Sequence, residues 1–589
     1  MITTATPGHP RLEIAKQSWR WPLARVYNAI RPDSGDKLNA TRNAALSTIA
    51  KRWRPVAPVA VFLVLLAVAV LLQLASGVYR TERGHYPDEA AHFTNGLLIR
   101  EYVRTGLGQS PLHFAEEYYL SFPKVALLMW PPLLHISLGA LMLLPFPPAV
   151  MALLFMAALA AWIAFRCYQV LAKNISVWAG AVVGVVFLAL QIVQDSTTVV
   201  MVDLLVAAMA LEAALWMAKY WETNRTSDAL FFGLFTALAC LAKGNGVAVV
   251  MMCPFMILFS GAWRLLKERA LYFAAALVAI VAGPFVFLSW YLYRINSSFS
   301  PTSVARAVKF TRIYLASFPS QTGWLWTVAA VLGIAVALLK QRSPIWLAMA
   351  SLWVATIMFH ATTSQGSPEY RYITMAYAPF LILAALGVQW LAGRIPFVQP
   401  FAKPALGAAM AVLALSFFLG HFAILHRDRL GFADAVQLLR GRISPEERIL
   451  VASDGDGEGA FVSEFAAIQP RARVTIVRSS KFLTDSDWLS HNMKVLYATP
   501  DDAMDDLEAS KVGYLVIDES PALQAEPYVN LANRIAQKCS NRLERIAHFG
   551  AAQGMSHSIS VYKVKNLAKG PPKKIRVSLK YSLGGYLER

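Results

Sequence analysis

The chain has 589 residues, of which 56% are hydrophobic and only 15% charged, and 55 Lys and Arg stand against 36 Asp and Glu for a net charge of +19. An ordinary soluble domain is about 45–50% apolar and about 25% charged, so a fold that faces water on all sides is excluded. The basic excess crowds into the N-terminal segment and the short loops between apolar runs, a pattern that orients membrane proteins and does not indicate nucleic-acid recognition.

Residues 1–55 read as a basic cytoplasmic segment, with Lys51, Arg52 and Arg54 against the first apolar run. The stretch LEIAKQSWRWPLARVYNAI within it suits the inner membrane surface. Residues 56–78 carry no charge and exceed the roughly 18 apolar residues that mark a transmembrane helix. No small-residue cleavage site follows, so this run is an uncleaved signal anchor. Further spans are predicted at 147–171, 176–194, 198–219, 228–243, 245–262, 270–292, 323–340, 344–361, 371–393 and 403–425. Together they make a polytopic α-helical membrane protein of about eleven helices.

Pro131 to Leu144 is also apolar but short, and it opens with two prolines. If it does not span, Arg166, Lys173, Lys219, Arg225, Arg264, Lys267, Arg269, Lys340, Arg342, Arg394 and Lys403 all fall in inside loops. If it does span, these residues move outside, against the positive-inside bias. It is therefore read as a juxtamembrane or re-entrant helix, which leaves 79–146, 293–322 and everything after 426 on the outer side. In this reading 56–425 is the membrane domain, with 79–146 as its first outer loop.

Residues 426–565 turn polar and carry the β-branched runs RILVAS, ARVTIV, VGYLVID and ISVYKV, separated by helical stretches at Pro500 to Ser510 and Tyr528 to Cys539. Strands alternating with helices predict an extracytoplasmic α/β domain. The basic tail 566–589, rich in Lys, Gly and Pro, is predicted to be disordered. The four cysteines are scattered and fit neither a disulfide framework nor a zinc site.

The first outer loop contains Gly84-His85-Tyr86-Pro87-Asp88-Glu89-Ala90-Ala91-His92-Phe93. Pro87 sets a helix start, where the partial positive charge favours the Asp88 carboxylate. A solvated N-cap is the plain reading of that carboxylate. Two further elements fall on the same side: Trp130-Pro131-Pro132-Leu133, and Asp203 at the outer end of a membrane helix. An acid there is costly unless it finds partners or serves a site. In the α/β region, Asp454-Gly455-Asp456-Gly457-Glu458-Gly459 follows a strand, where open α/β sheets bind ligands. Phe465 stands where a calcium loop needs its bidentate Glu, so the segment reads as a Gly-rich turn with solvated acids.

In their order, HYPDEAAH, WPPLLH, VVMVDLL, LAKGNG and SPEYRYI resemble the GT-C membrane glycosyltransferases, the protein O-mannosyltransferase and lipid A aminoarabinose transferase branch in particular. The resemblance covers residues 56 to 395. It implies a hexosyl- or pentosyltransferase in the cytoplasmic membrane that takes sugar from a polyprenyl-phosphate donor. The acceptor would be a hydroxyl of a lipid, polysaccharide or protein on the outer face, with inversion at the anomeric carbon. Asp88 matches the family's catalytic acid and would be the general base, with Glu89 as its helper. Lys243 and Arg371 are the candidates for the donor phosphate, with Asp203, Trp130 and Tyr370 as further substrate-binding candidates. No cofactor is certain; a divalent cation is a candidate, with Glu89 and His92 as its ligands, since helical spacing puts them on one face. A transporter or a non-catalytic membrane receptor are the competing classes. A transporter is expected to place ionisable groups at mid-membrane, where Glu212 is the main buried acid.

Overall fold

The computed structural model describes residues 56–126, 130–296, 303–363, 367–395, 399–444, 447–469, 474–485, 493–578 and 586–588. The predicted N-terminal cytoplasmic segment lies outside them. The membrane region runs through α1 (Val56–Ser76), α2 (Pro87–Glu101), α3 (Pro111–Ser121), α4 (Leu133–Leu141), α5 (Pro148–Asn174), α6 (Val177–Ala189), α7 (Gln191–Thr198), α8 (Asp203–Thr223) and α9 (Thr226–Ala242). It continues through α10 (Ala248–Ser260), α11 (Arg269–Val281), α12 (Gly283–Asn296), α13 (Val304–Thr322), α14 (Trp324–Leu339), α15 (Pro344–Thr363), α16 (Thr374–Ala392) and α17 (Ala402–Gly420).

The chain is a multi-pass membrane protein. Among the described residues, 6 helices are long and apolar enough to cross a bilayer, or up to 8 if α6 with α7 and α11 with α12 each count as one bent span. The stretches 228–243, 245–262 and 323–340 appear as apolar helices shorter than a full span, so the expected count of eleven is not established. α4 has nine residues, a length of about 14 Å, which is less than half of a bilayer core of about 30 Å. The segment 293–322 holds more than a loop: Val304–Thr322 is a helix capped by Ser303, whose side chain accepts the Arg306 N–H. Its apolar residues Phe310, Tyr314 and Phe318 are buried against the bundle, a 3.6-residue pattern that lay hidden behind Arg306, Lys309 and Arg312.

Two helices cross in backbone contact. A methyl group on Gly333 of α14 would overlap the Leu383 carbonyl of α16, and one on Gly387 would overlap the Ala329 carbonyl. Small residues at facing positions let membrane helices approach this closely.

The C-terminal domain holds α18 (Phe432–Leu439), β1 (Arg448–Ala452), α19 (Gly455–Ile468), β2 (Thr475–Arg478), the turn α20 (Ser479–Phe482), β3 (Thr484–Asp485), β4 (Lys494–Val495), α21 (Pro500–Ala509), β5 (Val512–Asp518), α22 (Pro527–Lys538), β6 (Leu543–Phe549) and β7 (Ile559–Val564). Its main sheet has the order β2-β1-β5-β7-β6. β2, β1 and β5 are parallel, and β7 and β6 are antiparallel. The four expected strands are present; β6 was not anticipated, because LERIAHF mixes charges into a largely exposed edge strand. β1 and β5 are buried at every residue, as strands covered on both faces are. Leu450, Ala452, Leu515 and Ile517 meet α21 and α22 on one face, while Ile449, Val451, Tyr514 and Val516 join α18, α19 and the membrane core on the other.

The tail is not free of the domain. Residues 576–578 (β8) and 586–588 (β9) pair antiparallel, and the Lys573 N–H donates to the Ala509 carbonyl at 2.9 Å.

Gly387→Leu is expected to wedge α14 from α16, at a cost of about 1–3 kcal/mol or more. Its melting temperature in detergent should fall clearly, whereas Gly407→Ala, where an added methyl meets nothing within 4 Å, should leave it unchanged.

Candidate active site

Four elements bring the site together. α2 starts at Pro87, with Asp88 and Glu89 in its first turn. α8 starts at Asp203. Lys243 ends α9 as its C-cap, in extended backbone before Gly244-Asn245-Gly246. Arg371 sits in the single turn Tyr370–Ile373 before α16. Asp203 is buried, with 2% of its side chain exposed, and its Oδ1 accepts from Lys243 Nζ at 2.7 Å. Arg371 reaches the same carboxylate at 4.0 Å and Asp88 Oδ2 at 3.5 Å. It also pairs with Glu369 and lies over the rings of Tyr86 and Tyr372, each at 5.3 Å. Lys243 Nζ lies 4.7 Å from the centre of the Tyr372 ring. Asp88, Asp203, Lys243 and Arg371, scattered over nearly 300 residues of sequence, therefore form one network.

Exposure separates the acids. Asp88 keeps 42% of its side chain accessible and Glu369 38%, against 2% for Asp203 and none for Glu89. Glu89 turns inward. Its carboxylate accepts the backbone N–H groups of His85 at 2.9 Å and Val200 at 3.1 Å, with Arg83 at 3.9 Å. Burial pushes its carboxyl up, opposed by the Arg83 guanidinium and the two backbone donors. Glu89 thus ties the segment before α2 to the approach of α8 and acts as a brace for Asp88.

The C-terminal domain closes over this region. The Glu82 carboxylate accepts the N–H groups of Leu430, Gly431 and Ala433 at the start of α18. Lys124 Nζ donates to the Gly455 carbonyl at 2.9 Å, and Glu464 of α19 accepts the Arg83 N–H at 3.3 Å. A methyl on Gly459 would sit 2.9 Å from Ala90 Cβ, so α19 and α2 pack with nothing between them.

No protein-family model matches the chain, and no curated protein matches it by sequence. Solved structures do. ArnT from Cupriavidus metallidurans in the apo state superposes with a TM-score of 0.52 at 13% identity, over 85% of this chain and 97% of that one. The same protein bound to undecaprenyl phosphate gives 0.52 at 13%, over 86% and 99%. The Archaeoglobus fulgidus oligosaccharyltransferase aligns at 0.47 and 13%, over 78% of this chain and 68% of that one. The fold is GT-C.

Within this fold, several expected residues take other places. Trp130 stacks on His92, ring centres 4.2 Å apart, and His92 Nδ1 shares a hydrogen bond with His135 Nε2 at 2.9 Å. His92 is buried, and burial with the charges of Lys243 and Arg371 pulls its imidazole down to about 3. That Trp130–His92–His135 stack supports the back of α2. Tyr370 is exposed; Tyr372, two residues on, carries the contacts to Lys243, Arg371 and Glu369. SPEYRYI holds both tyrosines, and the sequence alone did not say which faces inward. Glu369 and Tyr86 were also missed, although each neighbours a residue singled out.

Glu89 and His92 do not suit a cation. Glu89 is taken up by backbone donors and Arg83, His92 by His135, and no group of three or more His, Cys, Asp or Glu among the described residues is placed to hold a metal. Glu212 lies paired with Arg166 at 2.7 Å and bonded to Trp162 Nε1 at 2.9 Å. The acids of the Gly-rich segment are not solvated as expected. Asp454 caps α19 through the Asp456 and Gly457 N–H groups, and Glu458 is fully buried against Arg478, Ser479 and Ser480.

Burial raises the Glu464 carboxyl from 4.5 to about 7, although the Arg83 guanidinium opposes the shift. A raised carboxyl favours the folded, docked state most below pH 4.5, and that contribution is lost as pH climbs through about 7. Protection factors for hydrogen exchange across 83–91 and 455–468, each taken against the intrinsic rate at the same pH, are therefore expected to be higher at pH 5 than at pH 8, and Glu464→Gln should flatten the difference.

Proposed function

We propose that the chain is a membrane glycosyltransferase that moves a sugar from a polyprenyl-phosphate donor to an acceptor hydroxyl on the outer face of the cytoplasmic membrane. Its N-terminus would lie in the cytoplasm and its C-terminal domain outside. The observation that carries this reading is that the Asp88 carboxylate stays open to a ligand while held by Arg371. Asp203, the other acid in contact with Arg371 from a membrane helix, is shut in. The likeness to ArnT bound to undecaprenyl phosphate supports the choice of donor.

In the proposed reaction Asp88 takes the proton of the acceptor hydroxyl as that oxygen bonds to the anomeric carbon. The bond from that carbon to the phosphate oxygen breaks, and polyprenyl phosphate leaves with the electron pair. Attack opposite the leaving group inverts the anomeric centre. Charge develops on the phosphate, and Lys243 and Arg371 are the cations at hand to receive it. Half-buried Trp130 packed on buried His92, the His92–His135 hydrogen bond and the burial of Glu89 fix α2, which holds the base in position.

Transfer from polyprenyl-phosphate sugars labelled in the sugar, assayed in membranes carrying the full chain, tests the assignment. Asp88→Asn is expected to lose roughly 10²–10⁴-fold in rate, the usual worth of a general base. Full activity in that variant, with loss in Glu369→Gln instead, would move the base to Glu369. Absence of transfer from any such donor by the wild type would overturn the transferase reading.

A further inference from the structure

Lys243 and Arg371 meet three carboxylates, those of Asp203, Asp88 and Glu369, so this cluster holds one negative charge in excess. A transfer cycle treats the three acids differently. Asp203 is shut in against Lys243. Asp88, as the base, becomes neutral when it takes the acceptor proton. Glu369 has no part in that proton transfer, and 38% of its side chain is exposed.

Glu369 is fixed in place. Its Oε2 accepts from Arg371 Nε, its Oε1 accepts from the Tyr372 hydroxyl at 2.8 Å, and its backbone carbonyl accepts the Tyr372 N–H at 3.1 Å. A guanidinium is a small planar fork, so a phosphate seated on Arg371 lies within roughly 8 Å of the Glu369 carboxylate. The charge on that phosphate changes during transfer. In the donor it is a diester with a single negative charge; once its bond to the anomeric carbon breaks, it is a monoester with about −1.5 to −2 at pH 7, its second pKa being about 6. The phosphate gains the negative charge that Asp88 gives up, so the step balances. Two cations that suit the diester hold the more highly charged monoester more tightly, and a product held tightly limits turnover. The Glu369 charge opposes this, and opposes a dianion twice as strongly as a monoanion.

We propose that Glu369 is a product-release residue: acting on Arg371, its carboxylate weakens the hold on the phosphate monoester that transfer leaves behind and so biases the site towards the diester donor. This rests on the transferase reading above. It gives the half-exposed acid of SPEYRYI a task separate from that of the base.

The full chain in detergent would be titrated at pH 8 with undecaprenyl phosphate and with its monomethyl ester, two probes that differ by one charge. Glu369→Gln is expected to tighten the methyl ester about threefold to tenfold, the effect of one charge at about 7 Å in a half-wet site. The monoester should gain about the square of that factor, about tenfold to hundredfold. At pH 5, where the monoester carries a single charge, its gain should fall to that of the methyl ester. Glu369→Asn, too short to keep the contact with Arg371, removes the same charge and should show the same pattern; a gain in affinity also shows that either variant is folded. In membranes supplied with saturating sugar-labelled polyprenyl phosphate, the first round of transfer by Glu369→Gln should be as fast as in the wild type, with a slower steady rate and stronger inhibition by added undecaprenyl phosphate. Equal gains for the two esters, weaker binding of the monoester in both variants, or a slowed first round each overturn the proposal; the slowed first round is the mark of a base. If the wild type transfers from no donor, the transferase reading fails and takes the release role with it, whatever the two esters show.

Discussion

The arrangement depends on one electrostatic demand: a carboxylate, Asp203, is buried at the start of α8, ahead of the apolar run Leu204 to Leu211. A charge taken out of water is tolerated only with close partners, and the Asp203 partners come from far along the chain. Lys243 arrives at the end of α9 and Arg371 in the turn before α16. Satisfying Asp203 fixes where three helices meet. Arg371, already held there, then reaches out to Asp88 and so registers α2 against the bundle. The helix N-termini of α2 and α8 add to this, since both carry their acid in the first turn, where the backbone N–H groups are unpaired.

A second constraint is closeness of backbone. The contact between α14 and α16 depends on Gly333 and Gly387, and the contact of the C-terminal domain depends on Gly84 and Gly459. At Gly333, Gly387 and Gly84 the absence of a side chain lets main chain meet main chain, and at Gly459 it makes room for the side chains of Ala90 and Lys124. The domain is thereby continuous with the membrane region: Ile449, Val451 and Val516 of its sheet share an apolar cluster with Phe93 and Leu97 of α2. Glu82 completes the attachment by answering three backbone N–H groups at the start of α18.

Much of this was legible from residue order. Long uncharged runs marked the membrane helices, β-branched runs marked β1, β2, β5 and β7, Asp88 and Asp203 stood out from their local setting, and Lys243 and Arg371 were named as cations for the donor phosphate that the resemblance implies. Their convergence was not legible, because pairing across hundreds of residues leaves no periodic trace. Amphipathic α13 was hidden by its basic face, and β6 by the charges of an edge strand. Direction within a short turn was also beyond reach, which is why Tyr370 stood in for Tyr372. The Gly-rich segment looked like a wet turn because its composition says nothing of the helix that covers it. The runs 176–194 and 270–292 each hold a bend, of 59° between α6 and α7 and of 50° between α11 and α12, which went unseen because hydropathy sees a continuous run where the backbone breaks.

Arg371 is a shared cation. Its guanidinium donates through Nε to Glu369, stands 3.5 Å from Asp88 and 4.0 Å from Asp203, and lies over two tyrosine rings. An anion drawn to it competes with these carboxylates for one positive charge, and Asp88, the most exposed of them, is the one most easily displaced. Occupancy by a phosphate and freedom of the Asp88 carboxylate are in this way thermodynamically linked. The fold therefore contains the means for an order of events, in which an anionic ligand seated first releases the acid for whatever arrives next.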